Sequence, residues 1–342
     1  MPLVPLRRIL YWMSLTELFL ISFASRRLRD IIAHLLIDTS IDLTAKQGDF
    51  ELDVVHTGEV TKKLRFSTLY PTTPCTEKKF SVVLGNQTIK LSLIYECHMD
   101  RFFVYLKKKY VPSMISAGLP YLRDLFEPDD INIYVSARKM QNLVPTMSVA
   151  RMTIPDKSIK ANHLEDILSK ITVLHHMRIL TKVTGELAID SRLNNVRQLH
   201  TCGKWMKPAQ ILNFAGEHAF FSNTRFQTEN IIAFLRKWLN GEIKELITLI
   251  VHSKVKFDAS FVTEQFETSE WNPEERARHY PYPSEISVGI RQHHLQNICD
   301  CDVGYDIKRE NGRLATFKIS SNHFIFFVWF NRFPRRAVNH GR

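Results

Sequence analysis

Residues 2–29 read Pro2-Leu3-Val4-Pro5-Leu6-Arg7-Arg8-Ile9-Leu10-Tyr11-Trp12-Met13-Ser14-Leu15-Thr16-Glu17-Leu18-Phe19-Leu20-Ile21-Ser22-Phe23-Ala24-Ser25-Arg26-Arg27-Leu28-Arg29. Leu3, Leu6, Ile9, Leu10 and Met13 recur at helical spacing. Ser14-Leu15-Thr16-Glu17 has the S-x-x-E pattern of a capping box, so one helix stops and the next begins there. Leu15, Leu18, Phe19 and Ile21 carry the apolar pattern onward, and Ser25 is the expected N-cap of a third helix with Leu28, Ile31 and Ile32 on one face. Residues 2–36 therefore predict three short amphipathic helices. Such a unit is too small to bury its own apolar surface. Some of Leu3, Leu6, Ile9, Leu10 and Leu18 must face a partner or the rest of the chain.

The same run has the outline of a secretory signal, and cleavage of the first 24 residues is an alternative reading. Glu17 near its centre and the arginines at 26, 27 and 29 oppose it. No stretch reaches the ~20 uninterrupted apolar residues of a membrane span, so no membrane is expected as a partner.

Outward from this segment, residues 41–110 read as antiparallel strands. Phe50, Leu52 and Val54 alternate, as do Leu64 and Phe66. Phe80, Val82 and Leu84 lead through Gly85-Asn86 to Ile89, Leu91 and Leu93, the pattern of a two-residue hairpin. From about residue 119 the rhythm becomes short helix, then short strand. Leu119 to Phe126 precedes Ile131 to Val135, and His163 to Ile171 precedes Met177 to Leu180. A strand follows near Val196 to Leu199. Pro208 to Leu212 precedes His218 to Phe221, and Phe226 to Leu239 precedes Leu246 to Val251. Recurrence over a few tens of residues is similar to a leucine-rich-repeat arc. Thr228 is the expected N-cap of the strongest helix, whose stripe runs Ile231, Ile232, Phe234, Leu235, Trp238 and Leu239 to a stop at Asn240-Gly241. Residues 254–300, with Trp271 to Arg276 and Tyr280-Pro281-Tyr282-Pro283, read as a long surface loop. Asn311-Gly312 predicts a hairpin between Asp306 to Glu310 and Arg313 to Phe317, and Phe324 to Phe330 is a last apolar strand. The fold class expected is α+β: a three-helix start, a β-rich middle, then irregular helix–strand repeats and a closing hairpin.

Composition narrows function by exclusion. The chain has 342 residues, 44% hydrophobic and 24% charged, as a folded protein should. Among its 12 glycines the closest pair is Gly304 and Gly312, so neither glycine-rich phosphate cradle is present. H-E-x-x-H, G-x-S-x-G and any visible nucleophile–base pair are absent, and the chain reads as a non-enzyme without a cofactor. His293, His294, Cys299 and Cys301 offer four metal-ligating side chains, but H-H and C-x-C are the wrong spacings for zinc. Asp300 to Asp306 alternates acids like a calcium loop, with Gly304 one position early and no closing glutamate. No metal site is expected. His175-His176 has no matching ligand, and Asp129-Asp130 and Glu165-Asp166 read as caps or solvated faces.

Net charge is +11, with Arg7, Arg8, Arg26, Arg27 and Arg29 at one end and Arg332, Arg335, Arg336 and Arg342 at the other. Solvated helix faces account for this, and nucleic-acid binding is the second reading. No RNP-type aromatics, zinc finger or heptad-flanked basic region supports it. Five cysteines, at 75, 97, 202, 299 and 301, suit reduced thiols in cytosol or nucleus. The sequon Asn86-Gln87-Thr88 falls on the hairpin turn and reads as chance.

Pro2-Leu3, Leu6, Ile9-Leu10, Met13, Glu17-Leu18, Ser22 and Ser25-Arg26-Arg27 resemble an F-box shortened at its start. The body resembles the type 2 F-box-associated domain of the F-box family expanded in nematodes. That likeness rests on Trp205-Met206, Ile211-Leu212-Asn213, Gly216-Glu217, Phe226-x-Thr228-Glu229-x-Ile231 and Phe234-Leu235-x-Lys237-Trp238-x-x-Gly241. It closes on Asp306-Ile307-x-Arg309-x-Asn311-Gly312-x-x-Ala315-Thr316 and Val328-Trp329.

The resemblance implies an F-box over 1–38, a β segment over 39–112, an F-box-associated substrate-binding domain over 113–332 and a basic tail over 333–342. It implies a non-catalytic adaptor that binds an acidic Skp-family linker, and through it a cullin, and holds a protein substrate for ubiquitin transfer. By the same resemblance Pro2, Leu3, Leu6, Ile9, Leu10 and Leu18 form the linker contact. Pro5 falls in the first turn of its helix, where proline is tolerated.

Overall fold

The structure is a computed structural model that describes residues 3–35, 39–46, 49–57, 61–70, 76–96, 101–136, 146–281 and 298–333. The chain divides into two compact units, Met1–Pro155 with Asp166–Leu174, and Asp156–Glu165 with His175–Arg342. The helical start and the strands that follow it share the first unit.

The first unit opens with helices α1 (Leu3–Trp12), α2 (Leu15–Ile21) and α3 (Arg26–Ala33). The capping box forms as expected. The Ser14 amide donates to Glu17 Oε2 at 2.8 Å and the Glu17 amide donates to Ser14 Oγ at 3.2 Å. Ser25 occupies the N-cap of α3, but its side chain makes no capping bond. Strands β1 (Thr39–Lys46), β2 (Asp49–His56), β3 (Lys62–Ser67), β4 (Thr76–Leu84), β5 (Gln87–Glu96) and β6 (Arg101–Leu106) follow, then helix α4 (Leu119–Phe126) and strands β7 (Asp130–Val135) and β8 (Met147–Ile154). Their order across the sheet is β8-β7-β1-β2-β3-β6-β5-β4.

Phe50, Leu52 and Val54 point into the core as their alternation requires. Asp53, on the other face, is clamped by Arg65 across the ladder, with Nε to Oδ1 at 2.8 Å. The β4–β5 hairpin turns at Gly85-Asn86, with Leu84 opposite Gln87 and Gly85 at φ +57°. Two expectations fail here. The sheet is not wholly antiparallel, since β3 pairs with β6 and β1 with β7 in parallel. Local alternation shows which side chains share a face but not which distant strand arrives alongside. Leu93, on the same face as the buried Leu91, is itself only half-buried. Leu91, Ser92 and Ile94 are all buried, so both faces of β5 are covered there and alternation loses its meaning.

In the second unit, β9 (Ser158–Lys160) and β11 (Lys182–Thr184) form a small parallel pair. Helix α5 (Ala161–Lys170) and strand β10 (Ile171–Ile179) run across the division between units. Then come β12 (Gln198–Cys202), α6 (Pro208–Leu212), β13 (His218–Thr224), α7 (Thr228–Leu239), β14 (Thr248–Ser253), α8 (Ala259–Thr263), β15 (His279–Pro281), β16 (Ile298–Asp300), β17 (Tyr305–Lys308), β18 (Leu314–Ile319) and β19 (His323–Trp329). The sheet order is β17-β18-β19-β14-β13-β12-β10. Strands β10, β12, β13 and β14 run parallel, with α6 and α7 in the crossovers, as the helix–strand rhythm predicts. β19, β18 and β17 close the sheet antiparallel, so it is mixed.

Helix α7 covers one face of this sheet. Phe234 meets Phe326 edge to face at 5.1 Å, and Trp238 meets Phe326 at 5.3 Å. The N-cap of α7 is Gln227 rather than Thr228. Asn230 Oδ1 accepts from the Gln227 amide at 2.9 Å, while Thr228 Oγ1 accepts from the Asp258 amide at 3.1 Å. The closing hairpin forms, with Lys308 opposite Leu314.

Candidate functional site

The three N-terminal helices are held on their own unit by α2, α3 and the start of β3. Phe19 packs edge to face on Phe66 at 5.1 Å. Phe23 stacks on Tyr121 of α4 at 5.1 Å, and Ser22 Oγ lies 2.6 Å from the Tyr121 hydroxyl. Arg29 lies over the same ring, 5.4 Å from its centroid. Burial, chiefly, raises the Tyr121 phenol above its ordinary value.

Lys62 fastens the end of α1. Its ammonium donates to the carbonyls of Tyr11 and Met13, the latter at 3.0 Å, and sits 4.9 Å over the Tyr11 ring. Burial lowers its pKa, against the pull of Glu17. The bonds satisfy carbonyls that a helix end leaves open, where a cation is also favoured.

This docking sorts the residues expected to contact a partner. Leu10 is 2% exposed and Leu18 0%, so both belong to the unit's interior. Leu6 is half-buried. Ile9 is 54% exposed. Pro2 and the Leu3 side chain lie outside the described residues. The residue missed by the sequence reading is Trp12, which is 79% exposed. Its signal was the i,i+3 spacing from Ile9, which puts both on one helix face. Pro5 and Arg8 are exposed beside them. The result is an apolar stripe with Arg8 beside it, open to solvent on a helix that buries Leu10.

Several polar groups of the second unit are bound within its own structure. Cys299 and Cys301 are buried thiols beside Tyr280 and Trp329 in the core, and His293 and His294 lie outside the described residues. Hydrogen bonding to Cys299 and burial push the Cys301 thiol up. Asp300 is held well below the usual carboxylate range, first by Arg278, whose Nη2 lies 2.7 Å from Oδ2. Among the described residues no group of three or more His, Cys, Asp or Glu side chains is placed to hold a metal ion, and no helix is long and apolar enough to cross a membrane.

Comparison with known proteins picks out the same N-terminal segment. Residues 1–39 match the family model of the F-box domain. No F-box-associated domain is identified in the rest of the chain. The chain is similar to Uncharacterized protein F59B2.9 of Caenorhabditis elegans, 23% identical over 360 aligned positions that span 98% of this chain and 79% of that protein. It is also similar to Uncharacterized protein F59B2.8 of the same organism, 25% identical over 227 positions, 61% of this chain and 49% of that one. No solved structure matches.

Proposed function

We propose that this protein is a substrate-recognition adaptor of a Skp–cullin–F-box-type ubiquitin ligase. The F-box match over residues 1–39 supports a role of that general kind. The observation that carries the proposal is the coincidence of that match with the exposed stripe of α1. Ile9 and Trp12 stand in water on α1, with Arg8 beside them, while Leu10 of the same helix is buried. A Skp-family linker with an acidic, partly apolar groove fits this chemistry, and a cullin follows through the linker.

The rest of the chain is the substrate receptor in this reading. The type 2 F-box-associated resemblance and the repeat-like parallel strands of the second unit support it. No catalytic group is required of the adaptor. Holding a protein substrate beside a charged conjugating enzyme raises effective concentration to about millimolar and makes the transfer nearly intramolecular. Cytosol or nucleus is the proposed location, in keeping with the free thiols of Cys202, Cys299 and Cys301.

Co-expression with a Skp-family linker tests the proposal. The wild-type chain copurifies with it. Ile9→Asp and Trp12→Asp lose the linker with an unchanged melting temperature, because both side chains face solvent. Leu10→Asp lowers the melting temperature itself. A wild-type chain that ignores the linker refutes the adaptor reading.

A further inference from the structure

One face of the second unit's sheet changes character from end to end. Near β14 and β19 it carries Ile250 and Phe327, which pack with Phe220, Tyr280, Cys299 and Trp329. Followed in register across the parallel strands, the same face turns polar. Arg178 on β10 lies opposite His200 on β12, and His200 opposite Phe220 on β13. Two residues earlier, His176 lies opposite Gln198, and Gln198 opposite His218. Residues two apart on a strand share a face, so these side chains form one patch.

Three atoms of the patch are buried without a hydrogen-bond partner among the described residues: Arg178 Nε, Gln198 Oε1 and His200 Nδ1. His200 is 4% exposed and its ring meets Phe220 edge to face at 4.7 Å. A buried polar atom is nearly always paired, so three unpaired ones in neighbouring ladder positions are unusual unless something completes them. Among the described residues neither row contains Asp or Glu; Glu217, 3.9 Å from His218 Nε2, is also held by Arg197 at 2.8 Å. Burial, then the charges of Arg178 and His176, hold the His200 imidazole down to about 3, so it is neutral at pH 7 and has an N–H to donate.

We propose that Arg178 and His200 form an oxyanion subsite on this strand face, which takes the carboxylate or phosphate group of an acidic segment of a bound polypeptide, with Gln198 Oε1 beside it as an acceptor. The guanidinium supplies the charge and a directional donor, His200 supplies a second N–H, and Gln198 pairs with a neighbouring amide. Identifying that polypeptide as a ligase substrate rests on the adaptor reading; the oxyanion subsite itself does not.

The test is a titration of the full chain, labelled with 15N-histidine, with inorganic phosphate and separately with acetate. The His200 ring signals are identified by their loss in His200→Gln. The expected result is a saturable shift of the His200 signals, with an apparent Kd weakened tenfold or more in Arg178→Met at unchanged melting temperature. A response to phosphate alone assigns the subsite to phosphorylated residues, and a response to both anions to acidic side chains in general. No shift with either anion, or an Arg178→Met protein that titrates like wild type, overturns the proposal. Linker capture measured on the same variant keeps the two readings apart. It stays intact if only the subsite is wrong.

Discussion

Arg276 and Asp306 form an ion pair closed to solvent at both ends, with Arg276 Nε 2.8 Å from Asp306 Oδ2. Further hydrogen bonds hold both side chains. Arg276 Nη2 donates to the Cys301 carbonyl at 2.9 Å and Nη1 to the Ala277 carbonyl at 3.1 Å. Thr316 Oγ1 donates to Asp306 Oδ1 at 2.6 Å, and the Trp329 indole donates in turn to Thr316 at 2.7 Å. The guanidinium also lies 5.2 Å from the Trp329 ring. This network ties the segment before β15 to the closing hairpin and to β19.

Breaking that pair from one side is expected to be severe. Arg276→Met leaves a buried carboxylate uncompensated and costs about 3–5 kcal/mol. The Arg276→Met, Asp306→Asn double variant loses less than the two single losses added together, because the stranded charge is gone. Urea unfolding of the four proteins measures both quantities. Additive losses would show that the two side chains do not act as a pair.

The same residue marks the limit of what sequence reveals. Trp271 to Arg276 has the proline and charge content of a solvated loop, and its burial is decided by a partner thirty residues later. Composition carries no trace of such a partner. Signals that act within four residues were legible: the Ser14–Glu17 box, the Gly85-Asn86 turn and the Asn311-Gly312 hairpin all stand where their chemistry puts them. The parallel pairings of β3 with β6 and β1 with β7 were not, because both join segments far apart in the chain. For the N-terminal helices, periodicity identified the apolar positions but not their destinations. Leu10 and Leu18 are sealed inside, while Ile9 remains in water.

Lys62 is expected to control the end of α1 without holding the sheet together. Lys62→Met removes donors from the Tyr11 and Met13 carbonyls and the cation over the Tyr11 ring. The variant loses about 1–2 kcal/mol. Hydrogen exchange should show amides of residues 3–12 at least tenfold less protected, with those of β1 and β2 unchanged. Equal loss of protection throughout the unit would mean that Lys62 supports the whole fold and not the helix end.

His200 gives the protein an acid-sensitive component of stability. Its folded value of about 3 lies below the ordinary 6.5. Between those values the unfolded chain takes up a proton that the folded chain refuses. The contribution is therefore complete above pH 6.5 and is lost as pH falls toward 3, reaching roughly 2 kcal/mol of loss by pH 5. His323, also lowered by burial and by His252, acts in the same direction. Urea midpoints at pH 7 and pH 5 should therefore differ more for wild type than for His200→Gln, which keeps only the His323 part. Identical differences would assign the acid sensitivity elsewhere.

Gly216 stands where the backbone entering β13 passes the residues that lead into β12. A Cβ at this position would lie 2.1 Å from the Val196 carbonyl oxygen and 3.0 Å from that of Arg197. Neither atom can yield as a side-chain tip would, because the same short stretch is bonded on both sides. The Glu217 and His218 amides both donate to the Arg197 carbonyl, at 2.9 and 3.0 Å, and the Ala215 amide donates to Asn194 at 2.8 Å. One added methyl must therefore push two strands of the parallel sheet apart. Gly216→Ala is expected to cost about 2–3 kcal/mol, near the upper end for an overpacked site. Its thermal midpoint should fall by several degrees. An unchanged midpoint would mean that β12 and β13 are less tightly fixed at their entrance than these distances require.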